Sequence, residues 1–198
     1  MNSQVILKSI SKSFDGKMVL SGLNLSLPYG TITCLMGESG CGKTTLLRIL
    51  LGLEKADSGE IQGLPARLVC LFQEDRLLEG FSVRTNIRIV AKSLTNAEID
   101  AHLAELGLTG EGDARISALS GGMKRRVALI RAICAPSDML LLDEPFKGLD
   151  EHSAAQAAEY LLRHQNGRTV LLVTHEKDDA LRLHAPIFTL QRVEQHTS

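Results

Sequence analysis

The sequence predicts an α/β protein with a mostly parallel sheet, an N-terminal antiparallel β patch and an inserted helical subdomain. Short apolar stretches alternate with helical patterns, a glycine-rich loop joins one of these strands to a helix, and the stretch from about residue 76 to 131 is mostly helical. We therefore expect a single domain over residues 1–198, with a core of 1–75 and 132–198 and a helical subdomain of about 76–131.

The first part of the chain carries strand patterns. Leucines alternate with polar residues from Leu23 to Leu27, which predicts a half-buried strand that stops at the turn Pro28-Tyr29-Gly30. Together with the stretch from Val5 to Ser11, this strand suggests the antiparallel patch. Residues Asp57 to Glu60 have the composition of a turn.

A glycine-rich loop follows the predicted strand Thr31 to Met36 and leads into the helical pattern Leu46 to Leu51. Its sequence is Gly37-Glu38-Ser39-Gly40-Cys41-Gly42-Lys43-Thr44-Thr45. The glycines let backbone N–H groups approach an anion, and the helix adds its positive N-terminal end. Lys43 would reach the outer phosphates and the Thr44 hydroxyl would bind Mg²⁺. A merely flexible loop is the alternative, but the flanking strand and helix favour a nucleotide-binding phosphate loop.

After the short strand Arg67 to Phe72 the pattern becomes helical. A capping box from Thr95 to Glu98 starts a helix that Gly107 ends. A second helix follows Ser120-Gly121-Gly122, and Pro136 closes it.

The last third returns to alternation. The all-apolar stretch Met139 to Leu142 predicts a strand covered on both faces. A helix (Ser153 to His164), a strand (Thr169 to Thr174), a helix (Lys177 to Leu183) and a strand (Ile187 to Leu190) complete the parallel sheet.

Polar residues stand where two of these strands end. Asp143 and Glu144 follow one strand, at the sheet edge where α/β proteins bind ligands. Asp143 would hold Mg²⁺ through water, and Glu144 could be the general base that polarises an attacking water. Capping of the next turn is the plain alternative. His175 follows another strand, and both a structural and a catalytic role remain open for it.

Composition bounds the remaining possibilities. A net charge of −1 gives no argument for nucleic-acid binding or for adhesion to an anionic membrane. The residues from Met1 to Gln4 lack the build of a secretory signal, and no apolar stretch is long enough to span a membrane. The four scattered cysteines indicate reduced thiols in a cytosolic protein.

The segment Leu119-Ser120-Gly121-Gly122 indicates a second anion site, because a serine and two glycines stand at a helix start. One chain needs only one phosphate cradle per nucleotide. The best use of this second cradle is therefore on a partner's nucleotide.

Along nearly its whole length the sequence resembles the ATP-binding cassette (ABC) ATPases. The matching motifs stand in the family's order: the adenine-stacking aromatic at Phe14, the phosphate loop with Lys43, the glutamine at Gln73, the signature Leu119 to Gly122, the acidic strand Leu140 to Glu144, the interface loop Gly148-Leu149-Asp150 and the switch histidine at Thr174-His175.

The resemblance implies a head-to-tail dimer, of two identical chains or with a sister cassette, around two ATP molecules and Mg²⁺. Each ATP would lie between Lys43 of one chain and Ser120 and Gly122 of the other, and Gln73 would link Mg²⁺ and the attacking water to the helical insertion. Glu144 would be catalytic, and His175 would contact the γ-phosphate. Three positions depart from the pattern: Met123 replaces a glutamine, Lys147-Gly148 replaces Ser-Ala, and Phe14 replaces a tyrosine.

The segment from Gln73 to Leu78 is similar to one in cassettes of nitrate, sulfonate and taurine importers. The resemblance implies transmembrane permease subunits as partners, a place on the cytoplasmic face of the membrane, and no nucleic acid. The absence of a fused membrane domain favours import, and little chain follows Leu190 for a regulatory domain. The alternatives are a soluble ABC ATPase of translation or DNA maintenance, and a small-molecule kinase.

Overall fold

The structure, a computed structural model, describes residues 3–193. The prediction that the stretch from Met1 to Gln4 is not a secretory signal concerns residues that lie partly outside this range. The elements are, in chain order, β1 (Gln4–Phe14), β2 (Lys17–Pro28), β3 (Ile32–Met36), α1 (Lys43–Leu50), β4 (Ser58–Gln62), β5 (Leu68–Leu71), α2 (Val83–Arg88), α3 (Asn96–Glu105), α4 (Gly121–Cys134), β6 (Met139–Asp143), α5 (Glu151–His164), β7 (Thr169–Val173), α6 (Lys177–Arg182) and β8 (Ile187–Thr189). The predicted α/β class is confirmed.

The five-stranded sheet is parallel and has the strand order β5-β6-β7-β3-β8. Alternate residues of its central strands enter two separate hydrophobic clusters, as the two-residue period of a strand requires. Leu140 and Leu142 pack on the side of α4 and α5, whereas Met139 and Leu141 pack on the side of α1 and the antiparallel strands. Both faces are covered, which explains why these strands read as continuous apolar runs.

The antiparallel sheet has three strands in the order β2-β1-β4. The prediction of a turn from Asp57 to Glu60 is wrong, since β4 begins at Ser58 and pairs with β1. Its first three residues are exposed, so the segment lacks the apolar alternation of a strand. Gly59 fits because a Cβ there would lie 2.5 Å from the Lys8 carbonyl oxygen of the neighbouring strand.

The inserted segment contains α2, α3 and most of α4. The predicted capping box is confirmed: Thr95 and Glu98 cap the first turn of α3 reciprocally. The sequence pattern missed α2, a six-residue helix too short to show a period. The expected limit near residue 131 falls inside α4, whose buried side joins the cluster on the parallel sheet.

Other boundaries shift by a few residues. The first helix starts at Lys43, directly after the loop, and the helix expected from Ser153 starts at Glu151 with Asp150 as its N-cap. Among residues 3–193, no helix combines the length and the apolar character that a membrane crossing would need.

Candidate functional site

The strands of the parallel sheet end at one edge, where a cavity of about 590 Å³ opens. Except for Val19, the lining residues lie at the ends of β3, β5, β6 and β7 or in the segments that directly follow, including the first turn of α1. This position is expected for ligand sites of parallel α/β sheets. The lining residues are Val19, Gly37, Glu38, Ser39, Gly40, Gly42, Lys43, Thr44, Thr45, Gln73, Asp143, Glu144, Lys147 and His175.

The glycine-rich loop is shaped by close packing. A Cβ on Gly37 would lie 2.4 Å from the Leu190 carbonyl oxygen, and one on Gly42 would lie 2.7 Å from the Leu20 side chain. Gly42 is also the N-cap of α1, with a φ of 106° that favours glycine. Lys43 Nζ donates to the carbonyl oxygens of Gly37 at 2.6 Å and Glu38 at 2.9 Å. The lysine therefore lies along the loop, with its charge at the cavity.

Thr44, in the first turn of the helix that follows β3, meets Asp143, the last residue of β6. The two strands are not adjacent, since β7 lies between them. The Thr44 hydroxyl is 3.4 Å from Asp143 Oδ2, a long hydrogen bond. Hydroxyl and carboxylate oxygens are ligands that Mg²⁺ prefers, and Asp143 is buried next to a second carboxylate. The residues present thus fit a magnesium ion, and Gln73 lines the same cavity.

Glu144 is held on both carboxylate oxygens. His175 Nδ1 is 3.0 Å from Oε1, and Lys147 Nζ is 2.8 Å from Oε2. The backbone of Glu144 has a φ of 47°, unusual for a residue with a side chain, and its N–H donates to the Val173 carbonyl oxygen at 2.8 Å. This turn directs the carboxylate into the cavity.

The environment separates the pKa values of the two neighbouring acids. Burial raises the pKa of Asp143, and the adjacent Glu144 adds to this. Burial acts in the same direction on Glu144, but hydrogen bonds and ion pairs with Lys147 and His175 lower its pKa overall. The lowered pKa of Glu144 favours its ionised form, which is the form that a general base needs.

Arg125 on α4 joins two of the loops that line the cavity. Its buried guanidinium donates to the carbonyl oxygens of Phe72, Gln73, Asp143, Glu144 and Pro145 at 2.6–3.3 Å. It also pairs with Asp75 at 2.9 Å. One side chain thus sets the position of the loop after β5 relative to the loop after β6.

Other predicted residues lie outside the lining. Phe14 is 40% exposed, and Lys12 Nζ lies 5.0 Å from its ring. Cys41 is buried under the loop, with Sγ 3.8 Å from Lys43 Nζ, and does not line the cavity.

Ser120, Gly121 and Gly122 are also absent from the lining of the cavity in their own chain. The Ser120 side chain caps α4 by accepting from the Met123 N–H at 3.3 Å. Ser120 and Gly121 are exposed, so this 14-residue helix presents its N-terminus to solvent.

Sequence reasoning missed Arg125 and the contact of Lys147 with Glu144. A signal for Arg125 exists, since it precedes Ala128 and Ala132 at helical spacing on the buried side of α4. A buried pair supporting His175 was also missed: the Thr174 hydroxyl donates to Asp179 Oδ2 at 2.6 Å. For Lys147, the sequence shows only that Lys147-Gly148 replaces the Ser-Ala of the family pattern, and this does not indicate a contact with Glu144.

Comparison with known proteins gives consistent results. A model of the family described as ABC transporter matches residues 20–147. The aliphatic sulfonates import ATP-binding protein SsuB 1 of Pseudomonas syringae pv. syringae is 42% identical over 175 residues, which are 87% of this chain and 74% of that protein. A protein of the same name from Nocardia farcinica is 39% identical over 194 residues, covering 95% of this chain and 78% of its own.

A solved structure supports the fold. The structure of a bacterial Atm1-family ABC exporter with ATP bound aligns with a TM-score of 0.82 at 23% identity. The alignment covers 97% of this chain and 38% of the exporter chain.

Proposed function

The chain belongs to the ABC transporter family, and on this premise we propose that it is the ATP-hydrolysing subunit of an importer. Two copies would close head to tail around two ATP molecules, and hydrolysis would reopen the pair. The observation that carries this proposal is the convergence of a phosphate loop, a carboxylate and a histidine on one cavity. Relatives named as import proteins favour transport over a soluble role in translation or DNA maintenance.

The proposal gives several residues in and near the cavity a part in binding or hydrolysis. Lys43 and the N–H groups of the glycine-rich loop bind the phosphates, and Glu144 orients and polarises the attacking water. His175 fixes Glu144 and reaches the γ-phosphate. Mg²⁺, held by Thr44, Asp143 and Gln73, would neutralise charge on the phosphates. Phe14 is proposed to stack on adenine, since its exposed ring is free to pack on a base.

The second half of each site comes from the other chain. The N-terminus of α4 offers unpaired N–H groups and a positive dipole end, which attract phosphate. A Cβ on Gly122 would lie 3.7 Å from the Gly148 carbonyl oxygen, so the signature adjoins the loop from Gly148 to Asp150 that we place at the interface. Met123 cannot supply the side-chain hydrogen bond of a glutamine, which weakens this contact without removing it.

We place the permease at the segment that follows Gln73. Glu74, Asp75 and Arg76 line a cavity of about 320 Å³, and the apolar side chains Leu78 and Phe81 are exposed nearby in the chain. Such a surface suits an apolar helix end of a transmembrane subunit. The protein would then lie on the cytoplasmic face of the membrane. By similarity to the aliphatic sulfonates import proteins, the transported class would be aliphatic sulfonates, of which taurine is one.

In this proposal residues 76–131 act as an arm that begins within the permease contact, and residues 1–75 and 132–198 hold the nucleotide. The signature end and Arg125 lie on the same helix of this arm, α4, and therefore move together. Movement of the arm would therefore reach the loop after β6 directly.

Dependence of ATPase activity on chain concentration tests the proposed function. If each site needs two chains, the rate per chain rises with chain concentration and levels off when dimers are complete. Lys43→Ala should abolish the activity at every concentration. A full rate per chain that persists on high dilution would contradict the proposal. In a separate experiment, purification of this chain from detergent-solubilised membranes should also recover a polytopic permease.

Lys147→Ala should raise the KM for ATP about fivefold and should lower kcat far less than a Glu144 variant does, because His175 still holds Glu144. Lys147 lines the cavity and is half exposed, so its positive charge contributes on the order of 1 kcal/mol to phosphate binding. Steady-state kinetics against Lys147→Arg, which keeps the charge, and Lys92→Ala, an exposed lysine outside the cavity, measures this. A fall in kcat as large as that of a Glu144 variant would show that the interpretation is wrong.

A further inference from the structure

A cluster of metal-ligating side chains lies away from the nucleotide cavity, where α3 meets α5. His102, Glu105 and His164 each offer one donor atom, and these atoms lie within 4.8 Å of one another. None of the three lines the nucleotide cavity. We propose that this cluster binds one transition-metal ion of the zinc class, held between the inserted helical segment and the core.

The fold brings the three donors together without distortion. His102 and Glu105 are three positions apart on α3, which puts them on one helical face. His164 is the last residue of α5, and its Nε2 lies 2.9 Å from Glu105 Oε1. The two imidazole rings stand 5.0 Å apart at an interplanar angle of 66°. Small side-chain rotations would set all three donors about 2 Å from one ion.

The donor set selects the class of ion. Two imidazoles and one carboxylate are typical ligands of Zn²⁺, and they also suit Co²⁺ and Ni²⁺. Mg²⁺ and Ca²⁺ instead prefer sites made of oxygen ligands only. Three protein ligands leave a fourth position of a tetrahedral ion for water. The side chains of Glu105 and His164 are 26% and 22% exposed, so an ion can enter from solvent.

A second layer of contacts orients the donors. The Tyr160 hydroxyl lies 2.9 Å from His102 Nδ1, so Nε2 can carry the free lone pair. Arg163 pairs with Glu105 Oε2 at 2.5 Å, and His164 Nε2 lies 2.9 Å from Oε1 and 3.1 Å from Oε2. Ligating histidines and carboxylates in metal proteins commonly have such partners. The cluster therefore contains both the ligands and the groups that position them.

The protonation states also suit a metal. Burial and the neighbouring His164 lower the pKa of His102, which favours its neutral, ligating form. Burial opposes ionisation of Glu105, but His164 and Arg163 lower its pKa overall.

Metal titration of the full chain, made without a histidine tag and freed of metal with a chelator, tests the proposal. Zinc chloride should bind at one ion per chain and raise the Tm, since an ion bound only by the folded chain stabilises it. Cobalt chloride should give the visible absorption of a tetrahedral site. Both His102→Ala and His164→Ala should weaken zinc binding at least about tenfold, and Tyr160→Phe by about tenfold.

Two histidines outside the cluster provide matched controls. His152→Ala changes an exposed histidine on the same helix as His164, and His175→Ala changes a histidine that adjoins the carboxylates of Glu144 and Glu176. Both should keep this zinc site. Absence of saturable binding, or equal zinc affinity in His164→Ala and the unaltered chain, would overturn the proposal.

A measurement on the unaltered chain covers the case in which a variant does not fold. Zinc should protect His102 and His164, but not His152, from acylation by diethyl pyrocarbonate, as read by mass spectrometry of peptides. Equal acylation of these histidines with and without zinc would also overturn the proposal. Neither outcome depends on ATP hydrolysis, so the metal site and the proposed function stand or fall separately.

Discussion

A Glu144→Gln chain should bind ATP normally and hydrolyse it about 10²- to 10⁴-fold more slowly. Glutamine has the shape of glutamate and can keep the contact with His175, but its amide cannot act as a base toward water. The loss should appear in kcat, with little change in ATP affinity. Single-turnover hydrolysis and equilibrium binding of ATP measure the two quantities separately.

The control for this variant is Glu159→Gln, which makes the same chemical change on the exposed side of α5. It should hydrolyse ATP at the rate of the unaltered chain. Turnover by Glu144→Gln within a factor of about three of the unaltered chain would remove Glu144 from the role of general base. The nearby acids would then have to be tested in its place.

Arg125→Ala should lower the free energy of unfolding by about 3 kcal/mol or more. The substitution leaves buried carbonyl oxygens of two loops without a donor and Asp75 without its partner, and each such group is costly to leave unpaired. Arg125→Lys should recover only part of the loss, because one ammonium group cannot reach the acceptors that the planar guanidinium spans. Urea unfolding measures the difference.

The adjacent residue supplies the control. Lys124 pairs with Glu79 at the surface, so Lys124→Ala should change the free energy of unfolding by less than about 0.5 kcal/mol. Hydrolysis should also fall in Arg125→Lys, since the loops that carry Gln73 and Glu144 lose their common anchor. An Arg125→Ala chain as stable as Lys124→Ala would contradict the structural role of this arginine.

The residues that line the cavity could be predicted because most follow a strand of the parallel sheet. The loop up to Lys43, Asp143 with Glu144, and His175 each come directly after an apolar stretch, and parallel strands end at one edge. The sequence thus indicated which residues would meet before any distance was known. The strand that precedes Lys43 and the strand that ends at Asp143 are not neighbours in the sheet, since β7 lies between β3 and β6.

Other features depend on contacts that local sequence does not encode. The exposed segment from Ser58 is a strand only because β1 lies beside it. Arg125 is buried among carbonyl oxygens of distant loops, and a run of three basic residues reads as a solvated face. Lys147 contacts Glu144 because the turn after β6 has a positive φ, and no periodicity indicates that.

Together, these features fit our proposal that each chain carries half of an ATP site. The cavity holds the groups that we propose to bind phosphate and activate water, whereas the exposed signature at the start of α4 does not line it. A nucleotide can act as a switch only if the closed and open states differ in their contacts with it. We propose that the partner's signature supplies that difference.

The mass of the Glu144→Gln chain with and without ATP tests this central claim most directly. Light scattering should give about 21.5 kDa for the free chain and about twice that mass with ATP. Two further variants are made in the Glu144→Gln chain. Ser120→Asp keeps a side chain that can cap α4, but it places a negative charge against the phosphates bound by the partner chain. Ser120→Asn keeps the cap without adding the charge. We predict that the aspartate chain binds ATP and stays at the lower mass while the asparagine chain dimerises. Equal dimerisation of the two, or loss of ATP binding by the aspartate chain, would contradict the account.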